Sequence, residues 1–333
     1  LQGIEAEIRK LQIAQVVASK AKYIFPKISS SVFFPTGTWE DLRLGDDGQM
    51  GDFISVGSSA VVKSTPDGRA LTGKLPMIAN ERLMSSNELK RVASLGSVKA
   101  NKDAYAEEYV YRTQLNIDGV LKLLEVSGLQ ALSNGLVTLN GKNIEDVDAN
   151  YMIPKENKTG VTEMDKITYK EVVEFTRGKG IVKAFASQYE IDLLGSDQQM
   201  KDQYAMIVGG LPSNAILGLA EINRVFEREG FVFTLVPTFI QDGTRKIEPW
   251  KKGVITFVGS DRVMVIGHSL TPEAIDQPFT GGVRNMLNDY SMMTVIEYQT
   301  NPYRVSNRIE TYAVPILASA EYTYIMDSKV QNV

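Results

Sequence analysis

The sequence predicts an α+β protein organised around one long helix, on three observations. Residues 101–135 place apolar side chains at Tyr105, Tyr109, Val110, Ile117, Val120, Leu121, Leu124, Ala131 and Leu132. These are mostly three, four or seven apart and so line one face of an α-helix. Before it, Trp39 to Asn80 breaks into short β-like runs separated by glycines. After it, helical and strand-like segments alternate from Met164 to Gly267, and the chain turns β again from Thr294.

The helix is marked at both ends. Asn101 or Asp103 can cap its start, Glu107 and Glu108 suit the positive end of the helix dipole, and Asn134-Gly135 offers a left-handed stop. At 1.5 Å per residue it would reach about 45 Å, long enough for a structural spine. Gly119 and Gly128 each cost about 1 kcal/mol relative to Ala inside it. A bend, the close approach of another backbone, or plain tolerance by tertiary packing would account for them. Charges at Glu107, Glu108, Arg112, Asp118, Lys122 and Glu125 exclude a membrane span.

The length of 333 residues points to two or more subdomains. With 36 basic and 40 acidic residues the net charge is -4, which argues against a surface that grips nucleic acid or anionic lipid electrostatically. The absence of cysteine excludes disulfides, thiolate metal sites and cysteine nucleophiles, and fits assembly inside a cell. The chain starts at Leu1 with no charged and apolar leader after it.

Leu1 to Lys22, with Ile4, Ile8, Leu11 and Val16, forms an amphipathic helix that Pro26 ends. Its apolar side and Val32-Phe33-Phe34-Pro35 must lie against something else, and a neighbouring subunit is one candidate. Thr65-Pro66-Asp67-Gly68 is a turn, flanked by Ala60-Val61-Val62 and Leu71 to Met77, at the end of a long hairpin excursion. Its thin apolar content makes it an arm rather than a core. Leu139-Asn140-Gly141 signals a second hairpin, and Ile144 to Gly160 is polar and loop-like. Helices follow at Met164 to Thr176, Asp197 to Met206 and Asn214 to Glu229, the last opened by Ser213 or Asn214 and closed by Gly230. Phe231 to Phe239 is a buried strand, Asp242-Gly243 a turn, and Gly253 to Gly267 a pair of strands split at Ser260-Asp261. Pro315 places its neighbourhood at a sheet edge or bulge.

Motifs for chemistry are weak, and no catalytic, cofactor-binding or metal site is assigned. Gly68-Arg69-Ala70-Leu71-Thr72-Gly73-Lys74 has the spacing of a phosphate-binding loop, but Leu75 stands where Ser or Thr should hold magnesium and Pro76 follows where a helix should open. His268 is the one histidine; beside Ser269 it lacks a third partner and a nucleophile elbow. Gly178-Lys179-Gly180 lacks the third glycine of a dinucleotide fingerprint. Gly209-Gly210 and Gly281-Gly282 are connections, Asp46-Asp47-Gly48 is a turn, and Asn157-Lys158-Thr159 is a formal glycosylation sequon.

Residues Asn301 to Leu317, NPYRVSNRIETYAVPIL, resemble the C-terminal signature of the phage major capsid protein E family, that of the lambda shell protein. Phe33-Phe34-Pro35, the Val61 to Met77 hairpin, Leu129-Gln130-Ala131-Leu132, Val137 to Gly141, Leu217 to Glu229, Phe231 to Phe239 and Val263 to Pro272 fall in the order of that family's counterparts. The resemblance implies the Hong Kong 97-type capsid fold. It divides the chain into an N-terminal arm (1–37), an E-loop (38–78), a P-domain (79–160, with its spine at about 101–134), an A-domain (161–293) and return strands of the P-domain (294–333). It implies a major head protein that assembles with itself as hexamers and pentamers into an icosahedral shell enclosing double-stranded DNA, without catalysis or cofactor. Scaffold, portal and decoration proteins are its further partners, the virion its location and the host cytoplasm its place of assembly.

On the same reading, inter-subunit contacts fall at the E-loop tip, Thr65, Pro66, Asp67, Gly68 and Arg69, and on the arm at Phe33 and Phe34. Proteolytic maturation in relatives would account for Leu1, and Gly119 and Gly128 become points where the spine bends as capsomers change shape. The same-fold alternative is an encapsulin-type nanocompartment carrying protein cargo; the alternative from another class is a soluble α/β nucleotide-binding enzyme using Gly68 to Lys74.

Overall fold

Thirty-three residues, Lys102–Asn134, form one unbroken α-helix, about 50 Å from end to end. It stops where the sequence says it should: Gly135 has φ +70° and its N–H reaches the Ala131 carbonyl at 2.7 Å. The fold is that of a computed structural model, which describes residues 12, 14, 16–43, 69–84, 86–88, 90, 94, 102–141, 144–210, 216–260, 263–271, 274, 282–287, 289–300, 303–318 and 320–332. Among these residues no helix is long and apolar enough to cross a membrane.

In chain order the strands are β1 (Ser29–Phe33), β2 (Thr38–Arg43), β3 (Arg69–Lys74) and β4 (Met77–Met84) before the spine. After it come β5 (Leu136–Gly141), β6 (Ile144–Asn150), β7 (Lys158–Val161), β8 (Lys183–Ala186) and β9 (Val232–Leu235). The rest are β10 (Ile240–Asp242), β11 (Arg245–Ile247), β12 (Val254–Val258), β13 (Met264–Ser269), β14 (Gly282–Leu287), β15 (Met292–Thr300), β16 (Tyr303–Leu317) and β17 (Thr323–Gln331). One sheet runs β1-β13-β16-β15-β14, with β4 also paired to β16. A second runs β7-β17-β12-β8-β9, and β2–β3, β5–β6 and β10–β11 are two-stranded ladders.

The spine joins the two sheets. Midway along it, Asn116 donates from Nδ2 to the Asn307 carbonyl of β16 at 2.8 Å. Near its end, the Leu132 carbonyl accepts from Thr256 Oγ1 of β12 at 3.0 Å. Val110, Ile117, Val120, Leu121, Leu124, Ala131 and Leu132 of the predicted apolar face are buried; the side chains of Tyr105 and Tyr109 lie outside the described residues.

The second sheet is covered on both faces, so β12 is apolar at nearly every position rather than alternating. Val254 and Val258 face the spine with Phe185 and Ile325, whereas Ile255 and Phe257 face the helices Tyr169–Thr176, Gln188–Ser196 and Leu219–Phe226 with Ala184 and Met326. On that outer side Phe226, Phe231, Phe233 and Phe257 form a tilted and edge-on aromatic cluster with ring centroids 5.1–6.2 Å apart, the separation such pairs prefer.

Local differences from the sequence expectation have local causes. Residues 144–150, expected as loop, are β6, because the Asn140-Gly141 hairpin needs a return strand. The helix expected from Met164 opens at Tyr169, where Thr168 and Glu171 form a capping box. An unpredicted helix, Gln188–Ser196, precedes Gln198–Val208; the latter starts where expected, capped by the Asp197 carboxylate on the Met200 N–H. The third helix begins at Leu219 and ends in a tighter turn at Gly230, φ +94°; Ser213 and Asn214 lie outside the described residues.

The two strands flanking Ser260 belong to different sheets, β12 to the five-stranded and β13 to the six-stranded one. β3 pairs with β2 along residues 38–43; residues 60–62, the expected flank of the turn, lie outside the described residues. Pro315 falls where β16 has β13 as its one paired neighbour among the described residues, the single-sided position a strand proline tolerates.

The spine glycines are contact points. A Cβ on Gly128 would collide with the ring of Phe25, which is fully buried, whereas one on Gly119 would meet the amide end of Asn80. Gly128→Ala should therefore destabilise the subunit by about 1–3 kcal/mol through overpacking. Gly119→Ala should be near neutral, because a side-chain tip can move and the helix regains about 1 kcal/mol of propensity. Denaturant unfolding of the two variants checks this; equal losses would contradict it.

Candidate inter-subunit surfaces

Before any surface can be offered to another copy, the arm must be held on its own subunit. Residues 16–20 are helical and Val16 packs into the subunit's own core; Ile4, Ile8 and Leu11 lie outside the described residues. Gln12 donates from Nε2 to Thr113 Oγ1 of the spine at 3.4 Å. Lys22 pairs with Asp118 at 3.4 Å, and the Tyr23 hydroxyl donates to the Asp118 carbonyl. Pro26 does not end this helix; it sits in the first turn of a short second one, Phe25–Ile28, where a missing N–H costs nothing.

That short helix is capped from a distance. Glu125 of the spine, almost fully buried, accepts from the Ile24 N–H at 3.1 Å and the Phe25 N–H at 2.6 Å. Burial raises its carboxyl above the ordinary value of 4.5, opposed by these two hydrogen bonds and by the charge of Lys27. Burial, then the charges of Asp118 and Glu125, likewise pushes the Tyr23 hydroxyl up. The signal for Glu125 was present in the sequence, as a lone acid among Leu121, Leu124 and Leu129 on the buried face.

Past Ser29 the arm becomes β1, parallel to β13 at the edge of the six-stranded sheet. Ser30, Ser31, Val32 and Phe33 are all exposed, with Phe33 at 45%. Such an edge, without charge or proline on the strand, is open to another chain. The Phe33 ring also lies 5.7 Å from that of His268. Phe34 turns inward, donating its N–H to the His268 carbonyl at 2.8 Å and packing on the core.

The second predicted surface lies beyond β2 and β3, which pair from Thr38↔Lys74 to Arg43↔Arg69 in a ladder of their own. Of the predicted tip, Arg69 opens β3, and Thr65, Pro66, Asp67 and Gly68 lie outside the described residues. Residues 69–74 are therefore strand, and not a loop presenting backbone N–H groups to a phosphate.

The weak chemical motifs are accounted for by packing. His268 is buried with Nδ1 2.9 Å from Ser291 Oγ, and Ser269 is buried beside it. Lys179, between left-handed Gly178 and Gly180, stacks its ammonium 3.4 Å from the centre of the Phe175 ring, and burial lowers its pKa. Asn157 is buried and donates to the Glu321 carbonyl at 2.6 Å, which closes the sequon to modification in the folded chain. No metal-capable cluster of acids and histidine occurs among the described residues.

No family model matches the sequence, and none of the curated proteins matches it. Solved structures do. The chain is similar to a protein assigned as a capsid protein of an Escherichia coli CFT073 prophage, with 11% identity, TM-score 0.56, and 96% of this chain and 98% of that one covered. A phage-related protein from Bordetella bronchiseptica RB50 gives 9% identity, TM-score 0.54 and 96% coverage of both chains. The capsid asymmetric unit of cyanophage A-1(L) gives 8% identity, TM-score 0.50, and 90% and 91% coverage. At such identities the likeness is one of fold: the chain has the fold of phage capsid proteins.

Glu125 makes the arm contact pH-dependent. The folded state holds its proton more tightly than the unfolded chain does, so the linked stability is complete below about 4.5 and is lost as pH rises through the higher folded value. Glu125→Gln should remove this dependence, so that the variant's Tm relative to wild type improves from pH 4 to pH 7. A difference that stays flat with pH would contradict the assignment.

Proposed function

We propose that this chain is the major head protein of a tailed bacteriophage, assembling as hexamers and pentamers into an icosahedral shell around double-stranded DNA. The observation that carries the reading is a fold shared along 96% of the chain with a prophage capsid protein. The surfaces agree with it: an exposed edge strand, β1, and a two-stranded ladder, β2–β3, that among the described residues joins neither larger sheet. Backbone groups left open in a monomer are satisfied in such an assembly. The net charge of -4 suits a container that encloses DNA without gripping it.

In Hong Kong 97-type terms, residues 1–37 are the arm, 38–78 the E-loop, 79–160 with 294–333 the P-domain, and 161–293 the A-domain. The A-domain sheet then borrows β17 from the return segment, and its β13 and β14 join the P-domain sheet, which locks the two domains together. Scaffold, portal and decoration proteins are further partners on this reading, assembly takes place in the host cytoplasm, and no step is catalytic.

Electron microscopy of the purified full chain should show closed shells, capsomers or tubes; a monomer under every assembly condition would overturn the proposal. Nuclease-protected DNA inside the particle marks a phage head, and protein cargo with no DNA marks an encapsulin-type compartment. Replacing Pro66 to Arg69 by a short linker should leave the soluble subunit's Tm unchanged and lower particle yield. Undiminished yield and particle stability would remove the tip from the contact.

A further inference from the structure

The five-stranded sheet ends in β9 on one side and β7 on the other. Just past β9, the Val236 N–H reaches the Ala186 carbonyl of β8 at 2.9 Å. Successive residues of a strand turn their N–H and C=O groups to alternate sides, so Thr234 and Val236 face β8 and Phe233 faces outward. Asn223, on the helix Leu219–Phe226, takes both outward groups of Phe233. Its Oδ1 accepts the N–H at 2.7 Å and its Nδ2 donates to the carbonyl at 3.0 Å.

The opposite edge is closed in the same way. The Asn332 N–H reaches the Val161 carbonyl at 2.9 Å, so Val161 faces β17 and its neighbour Gly160 faces away. Asn332 Oδ1 accepts the Gly160 N–H at 2.9 Å, and Asn332 Nδ2 donates to the Gly160 carbonyl at 2.9 Å. A Cβ at position 160 would meet Asn332 Oδ1 and the Val330 carbonyl, so the missing side chain is what lets the carboxamide reach across. Thr162, the next residue on the outward side, is held too. Glu171 Oε1 accepts its N–H at 2.7 Å and Gln331 Nε2 donates to its carbonyl at 3.1 Å.

A carboxamide carries a donor and an acceptor side by side, as a peptide group does. At each edge it therefore occupies the hydrogen bonds that the backbone of an added strand would make. Open edges recruit strands from other chains. We infer that Asn223 and Asn332 are edge guards, which bar the five-stranded sheet from adding a strand of a second copy. Contacts between copies are thereby directed to other surfaces, and the inference stands independently of the shell reading.

The test compares the full chain with Asn223→Leu, Asn332→Leu and the double variant, since leucine keeps the branched shape and removes the amide. Thioflavin T fluorescence is followed over a range of concentrations, well below each protein's own Tm. Each variant should keep its far-ultraviolet circular dichroism, lose about a few °C of Tm, and gain a thioflavin-positive, concentration-dependent association that the wild type lacks. Val225→Ala loosens the same helix through a buried side chain and leaves both carboxamides in place; it should lose Tm without that association. Folded leucine variants that associate no more than wild type, or Val225→Ala associating equally, would overturn the inference. If a leucine variant does not fold, hydrogen exchange of the wild type decides. The Phe233 and Gly160 N–H groups should exchange slowly although they lie on sheet edges, and fast exchange at both would remove the guards.

Discussion

A phenylalanine ring lying across a glycine of the spine is the contact on which the arrangement of the arm depends. Phe25 occupies the space that a side chain at position 128 would fill. With the ring seated there, the Ile24 and Phe25 N–H groups fall onto Glu125, and the chain leaves the short helix directed along β13. The edge strand β1 thus has its position set from the spine, and any partner that pairs with it reads the spine's geometry at one remove.

The same helix sets the relation of the two sheets. A buried polar chain runs from Gln12 through Thr113 to Asn307 and on to Asn116, tying arm, spine and β16 together. Buried polar groups are tolerable only when partnered, and such partnering specifies one register more strictly than apolar packing does. At the other end, Thr256 and Leu132 fix β12 to the spine. A helix anchored at separate points to two sheets behaves as a strut, and a strut is what a subunit needs if its contacts are made far from its core.

The fold class, the spine, three of the four helices between Tyr169 and Phe226, and the Asn140-Gly141 hairpin were legible because periodicity and turn chemistry are local. The helix Gln188–Ser196 was missed although Ser187-Gln188-Tyr189-Glu190 is a capping box, with Glu190 accepting from the Ser187 N–H at 2.7 Å. The sheet partners were not legible at all. Nothing local in Val254 to Ser269 says that its halves enter different sheets, since both are continuous apolar runs and pairing is decided by strands far along the chain. The meaning of Gly119 and Gly128 was hidden for a related reason: a glycine reports that something comes close, and what comes close, Asn80 and Phe25, lies on segments far from it in the chain.

The position of β17 sets the order in which this molecule can be made. It lies between β7 and β12 in the five-stranded sheet, yet it follows every other described strand in the chain. Until it emerges from the ribosome, β7 has no partner on that side and Met326 and Ile325 are absent from the two faces of the core. Long-range pairings of this kind form late and slowly. A nascent chain therefore cannot complete this sheet until β17 has been synthesised, long after β7, β8, β9 and β12.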